Sequence, residues 1–116
     1  MTFEANKTIL ILDDNPARRV RLADALTRQG CLVQAAAVYR NASRIVRHAI
    51  TDVVLINANV LGKPDSFVKT VKAANPNAKI YIVTGAPSEL PTQYTEVHLL
   101  PSDMQEQELV ALLSHR

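Results

Sequence analysis

The chain has 116 residues, a net charge of +2, 47% hydrophobic residues and 21% charged ones, which suits one domain with a real core and excludes a disordered chain. A lone cysteine, Cys31, excludes an intrachain disulfide and a cysteine-based zinc site, and it fits a reducing, cytoplasmic setting. No apolar run approaches the roughly 18 residues that cross a bilayer, so no membrane association is expected.

Short apolar runs alternate with longer amphipathic stretches, the pattern of βα units folded into a parallel sheet covered on both faces. A first strand is expected over residues 8–13, where Ile9-Leu10-Ile11-Leu12 runs into the acidic pair Asp13-Asp14. Asn15 caps the helix that follows, Pro16 takes its first position, Leu22, Ala25 and Leu26 form its core face, and Gly30 ends it. A second strand is placed at 31–35, with Cys31 as a small buried hydrophobe at its start. The next helix is placed near 39–50, with Ile45 and Ala49 spaced four apart on its core face.

The third strand, 53–56, is wholly apolar and closes at Asn57. A polar loop with Gly62, Pro64 and Asp65 precedes a short helix at 66–74, ended by Asn75-Pro76-Asn77. Strand four is expected at 79–84, ending in Thr84, and strand five at 96–100. Between them Pro87 and Pro91 discourage a continuous helix. The last helix is marked by a capping box, Ser102 with Gln105 or Asp103 with Glu106, ahead of Leu109, Leu112 and Leu113.

The acidic pair after strand one, the polar acceptor position Asn57 after strand three, Thr84-Gly85 after strand four and Pro101 after strand five together resemble the receiver domain of two-component response regulators (CheY-like family). The resemblance spans essentially the whole chain, read as a single receiver-like domain over 1–116. It implies an α/β, flavodoxin-like doubly wound fold: five parallel strands in the order 2-1-3-4-5, with the helix between strands four and five shortened or absent. Receivers accept a phosphoryl group from a histidine kinase on an Asp after strand three. Mg²⁺ held by that Asp, one of the paired acids and a backbone carbonyl assists, a Lys on strand five contacts the phosphoryl oxygens, and a Ser or Thr on strand four senses them.

Carried over by position, Asp13 and Asp14 match the acidic pair, Thr84 the switch hydroxyl and Pro101 the proline after the Lys. The departures are decisive for chemistry. The acceptor position holds Asn57, the Lys position holds Leu100, and the switch aromatic is Val97. An amide offers no anionic oxygen to attack phosphorus, and an isobutyl group cannot hold a phosphoryl oxygen.

The expected protein is therefore a degenerate, phosphorylation-independent pseudo-receiver without catalytic residues. It would act in signal transduction as a protein-interaction or dimerisation module, joined to an attached or partner output such as transcription control. Asp13 and Asp14 are left as a weak Mg²⁺ site, or as acids that simply favour the positive end of the next helix. The expected interaction surface is Val97, Leu99 and Leu100 with Arg18, Arg19 and Arg21. The seven arginines on the first two helices, Arg18, Arg19, Arg21, Arg28, Arg40, Arg44 and Arg47, read first as solvated faces and second as a protein-facing or nucleic-acid-facing patch; with 4% aromatic residues, direct nucleic-acid binding by this domain is not expected. Two other readings stand beside this one: a sensor that holds a small ligand or cation in the vacated pocket, and a conventional phosphoacceptor inactivated at Asn57 or using Asp65 or Ser66 instead.

Overall fold

The computed structural model describes residues 7–85 and 97–115. Its five strands, β1 (Thr8–Leu12), β2 (Leu32–Ala36), β3 (Val53–Asn57), β4 (Lys79–Thr84) and β5 (Val97–Pro101), pair in parallel in the order β2-β1-β3-β4-β5. Four helices are described: α1 (Pro16–Arg28), α2 (Tyr39–His48), α3 (Asp65–Ala74) and α4 (Glu106–Ser114). The flavodoxin-like order expected from sequence is the order found. The segment in which a shortened or missing helix was expected, 86–96, lies outside the described residues.

The apolar runs of β1 and β3 are buried on both faces, which is why they do not alternate with polar residues. Leu10, Leu12, Val54, Ile56, Ile80 and Ile82 point to one layer, where Ala42 and Val46 of α2 and Phe67 and Val71 of α3 meet them. Ile9, Ile11, Val53 and Leu55 point to the other, against Leu22 and Leu26 of α1 and Leu109 and Leu113 of α4. Each such valine, leucine, isoleucine or phenylalanine contributes about 1.5–3 kcal/mol on burial, so the two layers fix the strand register and with it the residues at the strand ends.

Local signals set most boundaries. Asn15 Oδ1 accepts the Arg18 N–H at 2.9 Å and Pro16 opens α1, while Gly30, at φ +88°, lets the chain leave the helix and bring Cys31 N–H back to Leu26 O. Cys31 is buried as expected but precedes β2, and burial pushes its thiol pKa up.

Three expectations shift. α2 stops at His48, because Ala49 is extended and Thr51 is drawn into the base of β3, its N–H donating to Asn75 Oδ1 at 3.0 Å. The core face of α2 is therefore Ala42 and Val46, with Ile45 half-buried beside them and Ile50 left exposed. α4 starts at Glu106 with Gln105 as its cap residue and no side-chain capping bond, so neither expected capping box forms. β5 runs one residue further than expected, to Pro101, which an edge strand tolerates because it lacks only an outward N–H.

Tyr39, at the start of α2, tilts against Phe67 with ring centroids 5.6 Å apart, and its hydroxyl is buried without a hydrogen-bond partner among the described residues. Burial, and to a lesser extent the charge of Asp65, pushes its pKa up to about 12. Because the folded value is raised above the unfolded one, stability is at its full value below about pH 10, where the phenol is neutral in both states, and is lost as pH rises from there towards 12, since burial penalises the phenolate. An ultraviolet phenol titration should show a step near pH 12 that Tyr39→Phe removes. The same variant should be as stable as the native chain or more so by up to about 1 kcal/mol, since it deletes an unsatisfied buried hydroxyl; a clear loss in denaturant melts would mean that the hydroxyl has a partner.

Candidate functional site

β1 lies between β2 and β3, so the connections from β1 and from β3 leave on opposite faces of the sheet and open a crevice at the strands' carboxyl ends. Register brings the polar residues there. Leu12 pairs with Ile56 and Asn57 with Val83, and Thr84 pairs with Pro101, so Asp13, Asn57, Thr84 and Ser102 share one edge. They line a cavity of about 110 Å³ whose floor is apolar, formed by Leu22, Leu55 and Met104.

Asp13 is only 3% exposed, and every acceptor it offers is engaged. Its Oδ1 accepts the Asn15 N–H at 2.9 Å and Arg18 Nη2–H at 2.8 Å, its Oδ2 accepts Arg18 Nε–H at 2.5 Å, and its carbonyl accepts Arg19 Nη1–H at 2.8 Å. The two Arg18 bonds form a fork on one carboxylate, the geometry in which guanidinium binds most strongly. The hydrogen bond to Asp13 raises the Arg18 pKa, so the cation is present at every accessible pH.

The local sequence explains why Arg18 sits there. The first turn of α1 contains no acid, and Arg18 lies where the helix dipole disfavours a cation. Folding back onto Asp13 offsets that and supplies the counter-ion a buried carboxylate requires. Position alone marked the arginines as candidates for an outward surface. Two cations in the first turn, straight after an acidic pair, were the signal that one would turn inward.

The other expected site residues divide. Asp14 is exposed beside the crevice. Asn57 is half-buried and lines the cavity, but its Oδ1 already accepts the Asn59 N–H at 2.9 Å, closing a turn after β3. Thr84 is buried and its carbonyl accepts the Ser102 N–H at 3.1 Å. Leu100 packs partly buried on the α1–α4 side, Val97 belongs to the α2–α3 core, and Leu99 is the exposed member of the three. Arg21 pairs with Glu106 on α4 at 3.1 Å, so all three α1 arginines named from sequence have partners within the domain. Asp65 and Ser66 start α3 and do not line the cavity.

A divalent ion fits this donor set poorly. The Asp13 carboxylate is held by a guanidinium, the Asn57 oxygen by a backbone N–H, and no group of three His, Cys, Asp or Glu residues with metal-binding spacing occurs among the described residues. An ion would have to displace Arg18 or share Asp13 with it, against like-charge repulsion.

No family model matches the sequence, and no curated protein matches it. Solved structures do. A response regulator from Burkholderia pseudomallei, determined with a phosphorylated aspartic acid, calcium ion and citrate, superposes at TM-score 0.80 with 20% identity over 95% of this chain and 68% of that one. A CheY-like receiver domain protein from Methanospirillum hungatei JF-1 gives 0.79 at 16% identity over 93% and 90%. The receiver domain of a sensor histidine kinase from Pseudomonas aeruginosa PAO1, with magnesium coordinated in its active-site cleft, gives 0.75 at 20% identity over 97% and 100%. The chain thus has the fold of the response regulator receiver domains, a likeness of architecture that leaves its chemistry to its own residues.

Proposed function

We propose that the chain is a phosphorylation-independent pseudo-receiver, a cytoplasmic signalling module that binds a protein partner, an attached output domain or a second copy of itself. The observation that carries this reading is the Arg18 fork on Asp13 beside Asn57. In a working receiver the acidic edge is anionic, attracts a divalent ion and is completed by a phosphoryl group. Here a side chain of the same domain already supplies the positive charge, and the acceptor position offers a neutral amide. Among the described residues, those lining the crevice do not provide a carboxylate nucleophile together with a lysine to meet the phosphoryl oxygens.

The module then works through surfaces. A partner that binds two conformations unequally shifts their populations, and one that binds a single conformation uses the domain as a scaffold. The cavity beneath Arg18 supports a second reading, a site for a small polar ligand. Its rim carries Asn57, Thr84 and Ser102 above an apolar floor.

Two experiments test the proposal. Intact-mass measurement after incubation with acetyl phosphate and Mg²⁺ should show no phosphoryl adduct on the native chain. An adduct should form on the triple variant Arg18→Ala, Asn57→Asp, Leu100→Lys, and an adduct on the native chain, at Asp65, Ser66 or elsewhere, ends the pseudo-receiver reading. Separately, Arg18→Ala should lower stability by about 1–2 kcal/mol, discounted from the cost of breaking a fully buried pair because Arg18 is 36% exposed. Mg²⁺ should then raise the melting temperature of that variant while leaving the native chain unmoved; equal stabilisation of both would show that Arg18 does not occupy the cation's place.

A further inference from the structure

The modest net charge hides a division between the two faces of the sheet. On the α1–α4 face cations and anions interleave: Arg18 holds Asp13, Arg21 holds Glu106, and Asp24 and Glu108 lie on the same helices. On the other face, α2, α3 and the loop 58–64 carry Arg40, Arg44, Arg47, Lys63, Lys69 and Lys72 against a single acid, Asp65.

α2 itself has no acidic residue. Arg40, Arg44 and Arg47 fall at i, i+4 and i+7, one stripe about 10 Å long on the side of the helix away from the buried Ala42 and Val46. All three are exposed, and none has an ion-pair partner among the described residues. Like charges three and four apart on a helix repel, and this helix keeps them without the internal acids that α1 was given.

Apolar side chains frame the stripe. Val38, at the amino end of α2, is 47% exposed, and Ile50, just past its carboxyl end, is 80% exposed. Leu61, in the loop leading to α3, is 94% exposed. Arginine beside exposed apolar anchors is the composition of a protein-binding surface; a guanidinium fork meets phosphate as readily as carboxylate, but a phosphodiester backbone has no use for the exposed Val38, Ile50 and Leu61.

From this we infer that the α2 face, with Arg40, Arg44 and Arg47 at its centre and Val38 and Ile50 at its ends, docks a carboxylate-rich protein segment that also carries apolar side chains. The guanidinium forks take the carboxylates, and the exposed aliphatic groups take the apolar ones. This rests on the reading of the domain as a protein-binding module but not on the chemistry of the Asp13 crevice, which lies at the end of the sheet. An adduct in the mass experiment would therefore overturn the pseudo-receiver reading and leave this inference standing.

The test is a titration of the ¹⁵N-labelled domain with a synthetic amphipathic peptide of about 20 residues, one face glutamate and the other leucine, alongside the same peptide with glutamine for glutamate. The acidic peptide should shift the amides of α2 saturably, with an affinity that falls as salt rises from about 50 to 200 mM, and the glutamine peptide should not. Arg40→Glu with Arg44→Glu should weaken binding at least about tenfold, while Arg28→Glu at the end of α1 should leave it unchanged; the amide spectra of both variants report whether they are folded. No saturable shift, an equal loss in Arg28→Glu, or tighter binding of a duplex DNA or of phosphatidylserine vesicles than of the acidic peptide would overturn the inference.

Discussion

A carboxylate that is 3% exposed at the end of the first strand must be neutralised, and the arrangement of the crevice follows from how that is done. Burying an uncompensated anion is prohibitively costly, so a fold that keeps Asp13 in this position keeps a cation beside it. An imported divalent ion is one solution, and it leaves the site's charge dependent on the medium and open to a phosphoryl ligand. Arg18 is the other. It is covalently attached, permanently charged and held by two bonds in a planar fork, so the neutralisation is complete once α1 has formed. Asn57 is consistent with that solution: a second carboxylate across the crevice would need a second cation, whereas an amide can close the β3 turn through Asn59 and ask for nothing more.

The geometry that brings these residues together is not local to them. β1 and β3 are buried on both faces by two separate apolar layers, so neither strand can slip by one residue without turning its leucines and isoleucines to the wrong side. That register delivers Asp13, Asn57 and Thr84 to a common edge whatever those residues are. The scaffold therefore does not depend on which polar residues stand at that edge. The polar edge contributes little to the driving force of folding, and architecture and chemistry are free to part company here.

Apolar runs bounded by caps and turns were enough to read the order of the elements, and the acidic pair, Asn57 and Thr84 were placed at the strand ends because strand ends follow directly from those runs. The sequence said less wherever a tertiary partner decided the outcome. α2 ends early because Thr51 is claimed by Asn75 from a later segment, and Ile50 is left in solvent as a result. Gln105 opens α4 without a side-chain cap, a detail set by how α4 seats Leu109 and Leu113 on the sheet. Arg18 is the instructive case, because its spacing places it on an ordinary helix and only the turn after β1 brings it back over Asp13. Its neighbour Asn15, which caps the helix through one oxygen and donates its own N–H to Asp13, forces that return.

The two helical faces show what becomes of arginines that have an acid to meet and those that do not. On α1 the side chains of Arg18, Arg19 and Arg21 are turned towards Asp13 and Glu106, so they stabilise the domain and are poorly placed to attract anything else. On α2 the same residue type, at helical spacing, meets no such acid among the described residues, and its field extends into solvent until ions screen it over roughly 8–10 Å. A surface of that kind raises the rate at which an acidic partner arrives, and the exposed aliphatic groups beside it decide whether the encounter persists. The charge that the crevice consumes internally and the charge that α2 leaves outward are thus separate consequences of where acids were placed along one chain.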